Sequence, residues 1–209
     1  MTSPSSQPTP DKSQTIADGL RVAVVGARRT VMGTGGFLAR QANAAGAEVV
    51  AIVGSNYDSA RAASEELLAF GMRPEVYAEE EDMLLEMNPD VVIIASPTNT
   101  HIDWIQQCFD SRAHVFCEKP LCTSGAKHCD DLIRAFSANE LLISENCQWP
   151  FTLDAWQTLH PQNDIAMARK FSMLLSPKLR GEYRWQDILS HPLSLIQKIS
   201  PGPAHLENV

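Results

Sequence analysis

The feature that most constrains this chain is a strict alternation, starting at Leu20, of short apolar runs with stretches of helical spacing. Arg21-Val-Ala-Val-Val-Gly26 is an apolar run ended by glycine, the pattern of a strand buried on both faces of a parallel sheet. Phe37, Leu38, Ala42 and Ala45 then recur at three- and four-residue intervals before Gly46, which stands where a helix stops. The alternation continues with a strand over 48–53, a helix over 58–70 capped by Asp58, a strand over 75–77 and a helix over 80–87. A strand over 91–95, a helix over 101–111, a strand over 114–117, a helix over 124–138 and a strand over 141–144 complete it. Connections this short allow only right-handed crossovers. The spacing therefore predicts an α/β fold, a doubly wound parallel sheet of Rossmann type, over residues 20–150.

The flanks differ. Residues 1–19 are rich in Ser, Pro, Thr and Gln without apolar periodicity and are expected to be a disordered tail, since they bury too little surface to offset the entropy of ordering. After Trp149-Pro150-Phe151 the rhythm breaks. A helix over 152–159, a strand over 168–175 and a helix over 183–199 interrupted by Pro192 are expected there. Residues 151–209 are thus expected to form an incomplete α+β second domain, thin for a core of its own. If so, the apolar face around Leu189, Leu193 and Ile196 should be exposed.

Charge narrows the ligand class. A formal net charge of -8 opposes a sequence-independent grip on nucleic acid or on an anionic membrane, both of which need clustered Lys and Arg. No apolar run reaches the roughly 20 residues that span a bilayer, and the N-terminus lacks the basic-then-apolar profile of a secretory leader. A cytoplasmic protein with a small-molecule ligand is expected. Cys108, Cys117, Cys122, Cys129 and Cys147 are odd in number and unevenly spaced, which suits reduced thiols. His128 and Cys129 lie near Cys117 and Cys122, but without a Cys-x-x-Cys pair no metal site is expected.

In an open parallel sheet, ligands bind beyond the carboxyl ends of the strands. The first such turn is Gly26-Ala-Arg-Arg-Thr-Val-Met-Gly33-Thr-Gly35-Gly36, leading into a helix. Glycines let backbone N–H groups approach a pyrophosphate, and a helix N-terminus offers unpaired donors and a positive dipole end. The strict G-x-G-x-x-G pattern would need glycine where Arg28 and Val31 stand, so the loop reads as lengthened, its last glycines displaced into the helix. Gly26, Arg28, Arg29, Gly33, Thr34, Gly35 and Gly36 are candidate cofactor contacts; without a ligand they are a flexible glycine-rich turn. At the end of the second strand, Gly54-Ser55-Asn56-Tyr57 offers Ser55 and no acid before Asp58. Nothing there repels a 2′-phosphate, which favours NADP and leaves NAD open.

The later strands end in Ser96-Pro97-Thr98-Asn99-Thr100-His101 and in Cys117-Glu118-Lys119-Pro120, and Asp187-Ile-Leu-Ser-His191 follows downstream. In these segments, and in the sheet pattern over residues 20–151, the chain resembles the glucose-fructose oxidoreductase/inositol dehydrogenase (Gfo/Idh/MocA) family. The resemblance implies that Glu118, Lys119 and Pro120 sit against the nicotinamide end of the cofactor, where Glu118 contacts the nicotinamide ribose, Lys119 orients the substrate hydroxyl and assists proton movement, and Pro120 fixes the turn. It also implies that Pro97, Asn99 and His101 line the nicotinamide side, with His191 as general acid/base and Asp187 as its partner or a substrate ligand. The chemistry is coherent: oxidising an alcohol carbon needs an acceptor for the hydroxyl proton and a positive charge for the developing alkoxide. The expected substrate is a secondary alcohol of a sugar, cyclitol or related polyol, with Lys119, Asp187 and His191 catalytic. The family continues beyond such a helix into a large antiparallel sheet, so the chain reads as truncated or as completed by a homo-oligomer or a partner chain. The rival reading is a non-catalytic dinucleotide-binding sensor.

Overall fold

The computed structural model describes residues 19–28, 33–78, 80–177, 180–181 and 183–202, with the side chains of residues 80, 81, 183, 186 and 187 outside that description. The predicted tail lies almost wholly outside these residues. Six strands, β1 (Arg21–Val25), β2 (Glu48–Val53), β3 (Glu75–Tyr77), β4 (Val91–Ile94), β5 (His114–Cys117) and β6 (Ile143–Glu145), form one sheet in the order β3-β2-β1-β4-β5-β6. The pairings of β1 with β2, β1 with β4 and β2 with β3 are all parallel, and reversal of strand order at β1 makes the sheet doubly wound. By packing, the chain divides into two compact units. One runs to Pro97 and includes Asp103–Val115; the other comprises Thr98–Ile102 and the chain from Phe116 onwards.

The first unit is built around β1 and β2. Val22 to Val25 and Val49 to Val53 are at most 5% exposed, so both faces of these strands are covered, as their unbroken apolar runs require. Helices α1 (Gly35–Ala44) and α2 (Tyr57–Leu68) bury Leu38 and Ala39, and Ala60, Ala63 and Leu67; the alanines give a helix a close seat. The start of β1 is fixed electrostatically: the Arg21 N–H donates to Asp90 Oδ2 at 2.8 Å and its guanidinium to the Met87 carbonyl at 2.7 Å. Met87 ends α3 (Glu80–Met87). Asp58 does not cap α2. The cap is Asn56, whose Oδ1 accepts the Ser59 N–H at 2.8 Å, because an extended residue two positions earlier places its side chain under the first turn.

In the second unit α5 (Ala126–Ala138) buries Leu132 and Phe136. Cys122 and Cys129 are joined by a disulfide, with 6.5 Å between their Cα atoms, which corrects the expectation of five reduced thiols. The turn after β5 brings the pair together around Gly125, whose φ of +97° is the left-handed conformation glycine adopts without strain. Cys108, Cys117 and Cys147 form no disulfide. Further on come α6 (Thr152–Leu159), α7 (Tyr183–Ile188) and α8 (Ser190–Ile199).

Two expectations fail here. Residues 168–175 form no strand: apolar residues alone do not make a ladder, and no neighbouring strand pairs with this segment among the described residues. The helix expected over 183–199 breaks at Leu189 rather than at Pro192. Pro192 then falls in the first turn of α8, where a missing N–H costs no intrahelical bond. The apolar patch is present, with Leu189 42%, Leu193 46% and Ile196 36% exposed.

Replacing the fully buried Ile52 with alanine should lower the unfolding free energy in urea by about 3 kcal/mol, whereas Leu85→Ala at an exposed site should change it by less than about 0.5 kcal/mol. Alkylation in denaturant without reductant should modify three thiols, those of Cys108, Cys117 and Cys147. Mass spectrometry that counted five before reduction would remove the disulfide.

Candidate functional site

At the carboxyl end of β1 the chain leaves the sheet at Gly26, whose φ is +82°. A Cβ there would lie 2.7 Å from the Ser96 N and 2.8 Å from the Ala95 carbonyl oxygen, and a Cβ at Gly35 would lie 2.7 Å from the Ala27 Cα. Both positions admit only glycine because backbone passes backbone at these points. Gly35 and Gly36 open α1, as the lengthened-loop reading expects. The Gly36 N–H is already used, donating to the Ala27 carbonyl at 3.1 Å. The N–H groups of Gly35 and Phe37, in the same first turn, have no partner among the described residues. Unpaired donors of this kind, with the helix dipole behind them, suit an anion. Thr34 is the N-cap residue without a side-chain cap, and Gly33 is exposed. Arg29 lies outside the described residues.

Arg28 is turned towards α2, where its Nε lies 3.4 Å from Glu66 Oε1, with the two side chains 45% and 69% exposed. An exposed pair of this kind is worth little, so the guanidinium is available for exchange onto an anion. A cavity of about 360 Å³ adjoins it, lined by Arg28, Gly33, Gly36, Phe37, Arg40 and Glu66. The Arg40 guanidinium sits 4.8 Å over the Phe70 ring. At the end of β2, Ser55 is exposed while the Asn56 side chain is occupied in capping α2. Ser55 therefore offers an exposed hydroxyl at this turn.

In the second unit, Glu118-Lys119-Pro120 follows β5 directly, with a cis Lys119–Pro120 peptide. It is gripped on both sides. Asn146 donates from Nδ2 to Glu118 Oε1 at 2.7 Å, and its backbone N–H donates to the Cys117 carbonyl at 2.7 Å. Glu145 Oε1 accepts the Leu121 N–H at 2.7 Å. His101, 1% exposed, stands 2.9 Å through Nδ1 from the Pro120 carbonyl. A carbonyl only accepts, so the His101 proton resides on Nδ1. Sequence reasoning put His101 beside the nicotinamide; the structure places it against the Glu118-Lys119-Pro120 turn. Asn99 and Pro97 are exposed, with Asn99 in a single 3₁₀ turn over Thr98–Thr100.

Farther along the same unit, Cys147 donates its thiol to Glu145 Oε2 at 3.0 Å and lies 4.0 Å from the Ser190 carbonyl. Burial, and then the hydrogen bond and charge of Glu145, push the Cys147 thiol up to about 12, so it stays protonated as a donor at neutral pH. Ser190 precedes His191 in the first turn of α8. His191 meets the Trp149 ring edge-on, with centroids 6.1 Å apart. Trp149 Nε1 is buried and has no hydrogen-bond partner among the described residues. A cavity of about 530 Å³ lies on the Trp149 side, lined by Trp149, Trp156, Met167, Phe171, Leu195 and Ile199 among others. Asp187 belongs to α7, and its side chain lies outside the description.

Sequence reasoning missed Glu145, Asn146 and Cys147. Each acts on a residue from a different part of the chain, and a lone Glu-Asn-Cys after a short strand carries no local signal of that. The position was the available clue, since the carboxyl end of a parallel strand is where such folds place functional groups.

Residues 20–147 match the Gfo/Idh/MocA family model, described as an oxidoreductase family with an NAD-binding Rossmann fold. An inositol 2-dehydrogenase of Klebsiella pneumoniae (strain 342) is 36% identical over 107 residues, which cover 51% of this chain and 31% of that protein. KijD10, a 3-ketoreductase from Actinomadura kijaniata solved with NADP, superposes with a TM-score of 0.55 at 26% identity, covering 68% of this chain and 44% of that one. GenD2 from gentamicin A biosynthesis, solved with NAD, gives a TM-score of 0.56 at 22% identity, covering 73% and 43%; it shows the shared fold. The chain thus spans about a third of the length of the curated dehydrogenase and less than half of the solved chains. On the match across most of its described residues, the chain belongs to the Gfo/Idh/MocA oxidoreductase family, with its NAD-binding Rossmann fold between Leu20 and Cys147.

Proposed function

We propose that the chain serves an NAD(P)-dependent oxidoreductase acting on a secondary alcohol of a sugar, cyclitol or related polyol, or on the corresponding ketone. The observation that carries this is the Glu118-Lys119-Pro120 turn, placed directly after β5 and held by His101, Glu145 and Asn146. A turn fixed at its flanks presents the charged group between them in a preorganised way. The relatives' names, an inositol 2-dehydrogenase and a 3-ketoreductase, support a carbon bearing a hydroxyl or a keto group as the reacting centre. In this reading residues 20–150 are the dinucleotide-binding part and residues 151–209 belong to the substrate part.

When bound, the nicotinamide cofactor supplies the hydride acceptor or donor. The donors at the start of α1, with Gly26, Gly33, Thr34 and Arg28, would hold its pyrophosphate, and Arg29 would add a second positive charge to the same turn. Ser55, with no carboxylate before Asp58, favours NADP; relatives solved with NADP and with NAD support both forms. Glu118 would take the hydroxyls of the nicotinamide ribose, and Pro97 and Asn99 would line that end. The Lys119 ammonium orients the substrate hydroxyl and stabilises negative charge on its oxygen, while His191 takes the hydroxyl proton on an imidazole nitrogen and Asp187 supports it.

A second reading is favoured by one observation. Phe151, Leu159, Met167 and Leu174 are 71–99% exposed, in addition to the patch on α8, and exposed apolar groups in this number mark a protein contact. A dinucleotide-binding protein that works through a partner, or through a second copy, would present such a surface without needing turnover.

Titration of the chain with NADPH and NADH, by fluorescence or calorimetry, should show saturable binding, tighter for NADPH. Absence of binding to both would overturn the oxidoreductase reading. Lys119→Ala and His191→Ala should each lower kcat about 10²- to 10⁴-fold while cofactor Kd changes by less than about threefold. Binding without any turnover in the wild-type chain, over a panel of polyols and keto sugars, would favour the second reading.

A further inference from the structure

The last residue of β6 and the two after it act on the Glu118-Lys119-Pro120 turn from both sides. Asn146 holds the chain before Lys119 twice, through the Cys117 carbonyl and through the Glu118 carboxylate, both at 2.7 Å. Glu145 holds the chain after Pro120 through the Leu121 N–H, also at 2.7 Å. The second carboxylate oxygen of Glu145 is engaged by the Cys147 thiol, whose sulfur reaches the backbone of Ser190, the neighbour of His191. Three consecutive residues thereby link the segment that carries Lys119 to the start of the helix that carries His191.

The chemistry of each contact suits orientation. A carboxylate that must accept the two hydroxyls of a ribose has to be turned to a fixed angle. An amide N–H on one of its oxygens sets that angle without adding a charge of its own. Asparagine carries no charge of its own and holds Glu118 by geometry alone. The two oxygens of Glu145 have two different donors, a backbone N–H and a thiol, so its side chain is held in one orientation.

We infer, resting on the function proposed above, that Asn146 and Glu145 are positioning residues: Asn146 orients the Glu118 carboxylate for the nicotinamide ribose, and Glu145 locks the turn that presents Lys119. Asn146→Asp places a second carboxylate against Glu118 at nearly the same size. Glu145→Ala removes the acceptor for the Leu121 N–H, and Glu145→Gln retains it.

The test compares Kd values of the full chain and these variants for two probes: NADPH, which contains the nicotinamide ribose, and 2′,5′-ADP, which represents only the adenosine end. Asn146→Asp and Glu145→Ala should weaken NADPH about tenfold, a loss of about 1.4 kcal/mol, and leave 2′,5′-ADP unchanged; Glu145→Gln should restore NADPH affinity. Asn146→Ser serves as a second variant if the aspartate does not fold. Wild-type NADPH affinity in both Asn146→Asp and Glu145→Ala overturns the positioning role alone. An equal loss for both probes also overturns it, since general damage to the fold spares neither end. Failure of the wild-type chain to bind NADPH or NADH overturns the proposed function and this inference together, and so is separable from the other results.

Discussion

The backbone of β1 is paired on both edges, to β2 and to β4, up to Val25, and the rest of the structure follows from where that pairing ends. The Gly26 N–H still reaches the Val53 carbonyl at 2.9 Å, and the Ala95 N–H reaches the Val25 carbonyl at 2.8 Å. Three strands thus finish at one level. The chain must turn out of the sheet there in a space without room for a Cβ. That single steric condition sets the start of α1 and the position of its free N–H donors. It also fixes the Ala95–Ser96 backbone, from which the next loop departs. A strand buried on both faces and paired on both edges has no other exit.

The degree to which this was legible in the sequence depends on how local the cause is. Apolar runs such as Val22 to Val25 and Val91 to Ile94 report burial directly, so strands and helices of the alternating sheet could be placed to within two residues at most of their ends. Asp58 reads as the cap of α2 where Asn56 is the cap, because both residue types cap helices and only the backbone angle decides between them. The disulfide was hidden by an odd cysteine count: the pair lies seven residues apart across a turn that Gly125 makes, and sequence spacing does not reveal such a turn. The segment over 168–175 has the composition of a strand and lacks a neighbour to pair with. Pairing is a property of two segments, and one segment cannot announce it.

The candidate site divides in the same way. Glu118, Lys119 and Pro120 were readable as a motif, and Gly26, Gly35 and Gly36 as a turn. Their supports were not. Asn146 lies 28 residues from Glu118, Glu145 lies 24 from Leu121, and His101 lies 19 from Pro120. Such contacts exist only because the crossovers return each strand to the same end of the sheet. His101 is the instructive case: its identity and position drew attention to it, while its burial and its bond to the Pro120 carbonyl emerge only in the fold.

The Gly36 N–H bond to the Ala27 carbonyl and the close approach of Gly35 to Ala27 bring two points of the chain together that are eight and nine residues apart in sequence numbering. The end of the strand and the start of the helix are therefore clasped directly to each other, and the clasp is made of backbone atoms and of glycines. Its geometry depends on no side chain, so the outer faces of β1 and α1 can change residue by residue without loosening the junction between them.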